Sequence, residues 1–191
     1  MKHSIFISYR SFDEPFAALL IDQWLAARFG RGQVFRDSLT IPLGTHFPDR
    51  IALALQHCRA LVAVIGDRWL CLGPDGRRRI DHPEDLVRRE IATALRRDIL
   101  VVPVLVGEAG LPSADELPAD LQPLASRQYL QLRVRSADID GRRLVEQLTR
   151  LLGLIDTGCG RAEAPVADTH HSFDGPADAP YPVLGNAYNA R

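Results

Sequence analysis

Cysteine is scarce in this sequence. Cys58, Cys71 and Cys159 form an odd, widely spaced set without a CxxC pair or a ligand-spaced histidine. That pattern implies neither a disulfide framework nor a metal site, and the thiols read as free groups in a reducing compartment. Long hydrophobic runs are missing too. The apolar stretch after Met1-Lys2-His3 is closed by Arg10, which is too short for a signal segment or a membrane span. A cytoplasmic protein without a membrane partner is expected. No charge sign is in excess: 24 acidic residues against 23 basic ones give a formal net charge of -1, so nothing tracks a phosphate backbone and nucleic acid is not an expected partner. Lys2 is the sole lysine. Neither GxGxxG nor GxxxxGK[ST] occurs, which removes the dinucleotide fingerprint and the P-loop.

What is present is an alternation of short apolar runs with longer amphipathic ones. The 191 residues, 46% hydrophobic, suffice for one core plus a tail. Strands are expected over Ser4 to Tyr9, Gln33 to Arg36, Ala60 to Gly66, Ile99 to Val106 and Gln128 to Leu132. Helices are expected over Glu14 to Phe29, Phe47 to Cys58, Glu84 to Arg97, a short segment near Glu116 to Ser126, and Asp138 to Leu152. The runs Ala60 to Ile65 and Ile99 to Val106 are apolar without alternation, as strands buried on both faces must be. Five strands and five helices predict a flavodoxin-like α/β fold: three layers, with a parallel sheet in the order 2-1-3-4-5 and helices on both faces. Ser11, three residues before Glu14, has capping-box spacing, and Gly30 stands where a helix C-cap falls. From Asp156 to Arg191, prolines mix with glycine, alanine and aspartate without a hydrophobic period. This part reads as a disordered tail behind a folded domain of residues 1–155.

In an open parallel sheet, ligands bind beyond the carboxyl ends of the strands where the strand order reverses. Three polar strand ends, Tyr9-Arg10-Ser11, Arg36-Asp37-Ser38 and Gly66-Asp67-Arg68, are expected to converge on that rim. On the helix from Glu84 to Arg97, i,i+4 spacing pairs Glu84 with Arg88 and Asp85 with Arg89, an ordinary solvated face. Glu90 differs. Its helical neighbours Leu86, Val87, Thr93 and Ala94 carry no charge, so it either lies at the solvated edge of the apolar stripe or faces something outside the helix. A carboxylate so placed suits glycosidic cleavage, where it can stabilise a developing cation.

Phe6-Ile7-Ser8-Tyr9-Arg10 resembles the opening strand of Toll/interleukin-1 receptor (TIR) domains, here of the stand-alone microbial kind, and further landmarks follow in order. Val34-Phe35-Arg36-Asp37 resembles the second strand, and Ser38 to His46, with Pro42 and Gly44, the loop after it. Asp85-Leu86-Val87-Arg88-Arg89-Glu90-Ile91 resembles the catalytic-helix motif, and Ile99 to Val104 the fourth strand. The likeness covers residues 3 to 153.

The resemblance implies cleavage of the nicotinamide-ribosyl bond of NAD+ as substrate, with no cofactor or metal, by hydrolysis or cyclisation. Glu90 is the implied catalytic residue, and Tyr9, Arg10, Ser11, Asp37 and Leu86 are implied substrate contacts. Leu86 occupies a position that is aromatic in many active relatives, and the loop from Asp37 to Asp49 holds no acid between them. The loop residues Leu39, Ile41, Pro42, Leu43 and Gly44 are implied in self-association, which would complete a neighbouring copy's site. A separate sensor or effector protein and a role in microbial defence are implied as well. The alternatives are a non-catalytic TIR scaffold, a phosphoacceptor receiver using Asp67, and a deoxyribosyltransferase-like enzyme. A receiver normally needs a lysine at the end of the fifth strand, and Gln128 to Arg135 has none.

Overall fold

The computed structural model describes residues 5–36 and 55–153. Its strands are β1 (Ile5–Ser8), β2 (Val34–Arg36), β3 (Ala60–Ile65), β4 (Leu100–Val106) and β5 (Leu130–Leu132), and its α-helices are α1 (Pro15–Phe29), α2 (Leu86–Arg96) and α3 (Ala137–Leu151). Every strand pair is parallel and the order is β2-β1-β3-β4-β5, as the alternation predicts. All residues of β1 and β3 are buried, which explains why neither shows polar alternation.

Two apolar layers sandwich the sheet. On one face Ile5, Ile7, Val62 and Val64 pack with Ala18, Ile21 and Leu25 of α1 and with Leu144 and Leu148 of α3. On the other, Phe6, Leu61, Ala63 and Ile65 pack with Val87 and Ile91 of α2 and with Trp69. Each fully buried aliphatic side chain contributes about 1.5–3 kcal/mol. Helix α3 approaches α1 at Gly141, where a Cβ would lie 2.7 Å from Trp24 ring atoms.

Several local expectations need correction. Residues 116–126 do not form an α-helix; they follow one 3₁₀ turn, Ala114–Glu116, and enter another, Gln122–Ser126. Pro118 and Pro123 supply no N–H for an α-helical ladder. Ser11 is exposed and caps nothing: α1 starts at Pro15, with Glu14 ahead of it and no side-chain cap, because proline sets the first helical φ. Gly30 does end α1, with φ of 92° and its N–H on the Ala26 carbonyl.

Strand β5 begins at Leu130 rather than Gln128. The Leu100 N–H bonds the Arg59 carbonyl on the β3 side, so alternation directs the main chain of Val101 and Pro103 towards β5. Pro103 has no N–H to offer there, and pairing starts at Val104 with Leu130. The expected helix from Phe47 is described only at residues 55–57, which are helical. Asp37, the loop residues 38–46 and the tail from Asp156 lie outside the described residues.

Candidate active site

Strand alternation divides the carboxyl end of β1 between two faces. Ser8 and Arg10 follow Phe6 onto the α2 face, whereas Tyr9 follows Ile7 onto the α1 face. Tyr9 is buried there beneath the Arg36 guanidinium, 6.0 Å from its ring centroid. Arg36 lies 3.4 Å from Asp22 of α1, which also takes a two-pronged bond from Arg31 at 2.6 and 2.9 Å. Tyr9 and Glu90 thus belong to opposite faces of the sheet.

Glu90 projects from α2 towards β1 and is 1% exposed. The Ser8 hydroxyl, equally buried, donates to Glu90 Oε2 at 2.5 Å, in the range of a charge-assisted O–H···O⁻ bond. This resolves what the sequence leaves open: Glu90 faces outward from its helix onto a neighbouring strand, not into solvent. The hydroxyl fixes one carboxylate oxygen and thereby the plane of the group. Ser8 also lies in register with Ala63 of β3, so the pair sits where β1 and β3 diverge at the reversal of strand order.

Two residues on, Arg10 anchors the start of α2. Its guanidinium donates to both Asp85 oxygens, at 2.7 and 3.1 Å, and its Nε donates to the Trp69 carbonyl at 3.0 Å. Asp85 is the N-cap, accepting the Arg88 N–H at 2.8 Å. The expected pairing of Asp85 with Arg89 is therefore absent: Asp85 stands outside the helix, and its carboxylate is committed to Arg10 and the cap. Arg88 pairs with Asp120 instead of Glu84, while Arg89 reaches Glu84 at 3.4 Å. With both charges nearly buried, the Arg10–Asp85 bridge is a strut between the first loop and the helix carrying Glu90.

The loops after β1 and β3 are joined by Asp13, whose carboxylate accepts the N–H groups of Gly66 and Arg68, each at 2.9 Å. A Cβ on Gly66 would fall 2.4 Å from Glu14 Cγ and 2.7 Å from Asp13 Oδ1, so this approach requires glycine. Burial, with the neighbouring Asp13 and Asp67 charges, raises the Glu14 carboxyl above its ordinary range. The strand ends of β1 and β3 do converge on one rim. Ser11 and Leu86 are exposed beside it, while Asp37 and Leu39, Ile41, Pro42, Leu43 and Gly44 lie outside the described residues.

Sequence reading missed Ser8, Trp69 and the Arg10–Asp85 bridge. Ser8 carries a usable signal, a hydroxyl at a core-facing step of a buried strand; Trp69 and the bridge depend on contacts between distant segments.

The TIR domain family matches residues 5–148. The chain belongs to that family. Among solved structures, this TIR domain is similar to the TIR domains of the activated Roq1 resistosome recognising the pathogen effector XopQ. That match has TM-score 0.52 and 13% identity over 78% of this chain and 99% of the other. It is also similar to the TIR domain of the Toll-related receptor TRR-2 of Hydra magnipapillata, with TM-score 0.50 and 16% identity over 79% and 98% of the two chains. At these identities the likeness supports the fold. A search of curated proteins gives no match. Among the described residues no helix is long and apolar enough to cross a membrane.

Proposed function

We propose that this TIR domain is an NAD+ nucleosidase that cleaves the nicotinamide-ribosyl bond, with Glu90 as its catalytic carboxylate. One observation carries the reading: a buried glutamate at the sheet's crevice, oriented by a 2.5 Å bond from Ser8. The C1′–N bond breaks with its electron pair leaving on nicotinamide, which departs neutral and needs no protonation. The ribosyl carbon becomes cationic. Glu90 hydrogen-bonds the ribose hydroxyls and stabilises that charge in surroundings where carboxylate and cation attract strongly. Water then attacks C1′ and releases a proton, giving ADP-ribose and nicotinamide; capture by a nucleophile within the substrate gives a cyclic isomer instead.

The reading includes self-association through the loop that holds Leu39, Ile41, Pro42, Leu43 and Gly44, with a separate sensor or effector protein as trigger and microbial defence as setting. Dilution, or Gly44→Trp, then lowers specific activity. The test of the chemistry is incubation of the full chain with NAD+ and quantification of nicotinamide, repeated with Glu90→Ala. Release that the variant does not reduce overturns the role of Glu90.

A second reading, a non-catalytic interaction module, is favoured by the burial of Glu90 itself, because a ligand must gain access before touching it. Absence of nicotinamide release at high protein concentration selects this reading.

A further inference from the structure

Three guanidinium groups surround the ring of Phe12, in the loop after β1. Their central carbons lie 5.9 Å (Arg10), 5.8 Å (Arg68) and 4.9 Å (Arg79) from its centroid. Such contacts stabilise each cation modestly but do not neutralise it. Arg10 is neutralised by Asp85 at 2.7 Å. Arg68 and Arg79 are exposed, and among the described residues neither has a carboxylate within ion-pair distance.

Carboxylates are nearby but already committed. A cleft of about 360 Å³ beside Arg79 also contains Asp75, Glu84 and Asp85. Asp75 pairs with His82 at 3.0 Å, Glu84 with Arg89 at 3.4 Å, and Asp85 with Arg10. Asp13 spends its oxygens on the amides of Gly66 and Arg68. Arg68 and Arg79 therefore share the Phe12 ring, and among the described residues neither is held in an ion pair.

Their backbone is held in place. The Arg68 N–H is fixed by Asp13, and the Arg79 N–H bonds the Cys71 carbonyl at 3.2 Å. Anchoring lowers the entropy lost when a ligand immobilises the side chains. The cluster also adjoins the candidate site: Arg10, its third member, stands two residues beyond Ser8, which holds Glu90.

We infer that Arg68 and Arg79, splayed on Phe12, form a subsite for the diphosphate of a dinucleotide or nucleoside diphosphate-sugar. A diphosphate carries two negative charges on a short bridge and accepts forked guanidinium bonds from both sides. The identity of the dinucleotide rests on the NAD+ reading of the Glu90 site; the anion class does not.

The test is calorimetric titration of the full chain with ADP-ribose. Wild-type protein binds it, and added salt weakens binding. The pair Arg68→Ala and Arg79→Ala weakens binding by about tenfold or more, whereas Arg68→Lys with Arg79→Lys, which keeps both charges but loses the guanidinium fork, binds between the wild type and the alanine pair. Thermal unfolding reports whether the Phe12 cluster has merely collapsed. Inorganic pyrophosphate competes with ADP-ribose on the wild type; failure to compete, or equal binding by the alanine pair, overturns the subsite whatever the other variants do. Nicotinamide release from NAD+ is read on the same wild-type sample. Arginine-dependent binding without release keeps the subsite and overturns the nucleosidase reading, and release without arginine dependence does the reverse.

Discussion

Ser8 and Glu90, 82 positions apart in the chain, share a 2.5 Å hydrogen bond inside the domain. Strand β1 and helix α2 are thereby joined through the one carboxylate on which the proposed chemistry depends. Ser8→Ala removes the donor and leaves a buried oxygen without that partner, at a cost of about 1–3 kcal/mol in stability. Differential scanning calorimetry measures it, and nicotinamide release by the same variant falls by about tenfold as the carboxylate loses its fixed plane. A variant as stable and active as the parent removes Ser8 from the site.

Arg10 and Asp85 are coupled more strongly. Removing either leaves the other nearly buried and unpaired, so Arg10→Ala destabilises the fold by about 3–5 kcal/mol. The double variant Arg10→Ala/Asp85→Ala recovers part of that loss, since no orphan charge remains. A double-mutant cycle from urea unfolding quantifies the coupling; additive effects would refute a strut.

Gly66→Ala tests the junction of the first and third loops. The new methyl group collides with Glu14 and with the Asp13 oxygen that anchors the Arg68 amide, and about 1–3 kcal/mol is lost. Hydrogen exchange at the Gly66 and Arg68 amides accelerates beyond the global change.

Burial pushes the Cys58 thiol up to about 11 from an ordinary value of 9.0, against the smaller opposing pull of Arg97. A thiol raised in the folded state contributes stability fully below pH 9, and that contribution is lost as pH rises towards 11, because the unfolded chain ionises first. Stability measured between these limits therefore falls more steeply in the wild type than in Cys58→Ala. At pH 8, Cys58 resists alkylation until the chain is unfolded.

The sheet order was legible because buried strands of a parallel sheet leave continuous apolar runs, and amphipathic helices between them leave a different period. Glu90 stood out because its helical neighbours carry no charge. What could not be read was anything decided across the sheet. Local spacing joined Asp85 to Arg89, while the fold gave it to Arg10, 75 positions away. Tyr9 looked like a neighbour of Ser8 and Arg10 at the rim, yet strand alternation sends it to the opposite layer. The start of β5 was misjudged for a similar reason, as it depends on an amide missing from another strand.

That missing amide at Pro103 has a protective consequence. Beyond the start of β5, the flank of β4 that β5 leaves unpaired has its row of donors interrupted, so an incoming strand finds a broken template. The interruption guards this notch beside β4 against a foreign strand, while the edges of the sheet itself, β2 and β5, are left as they are.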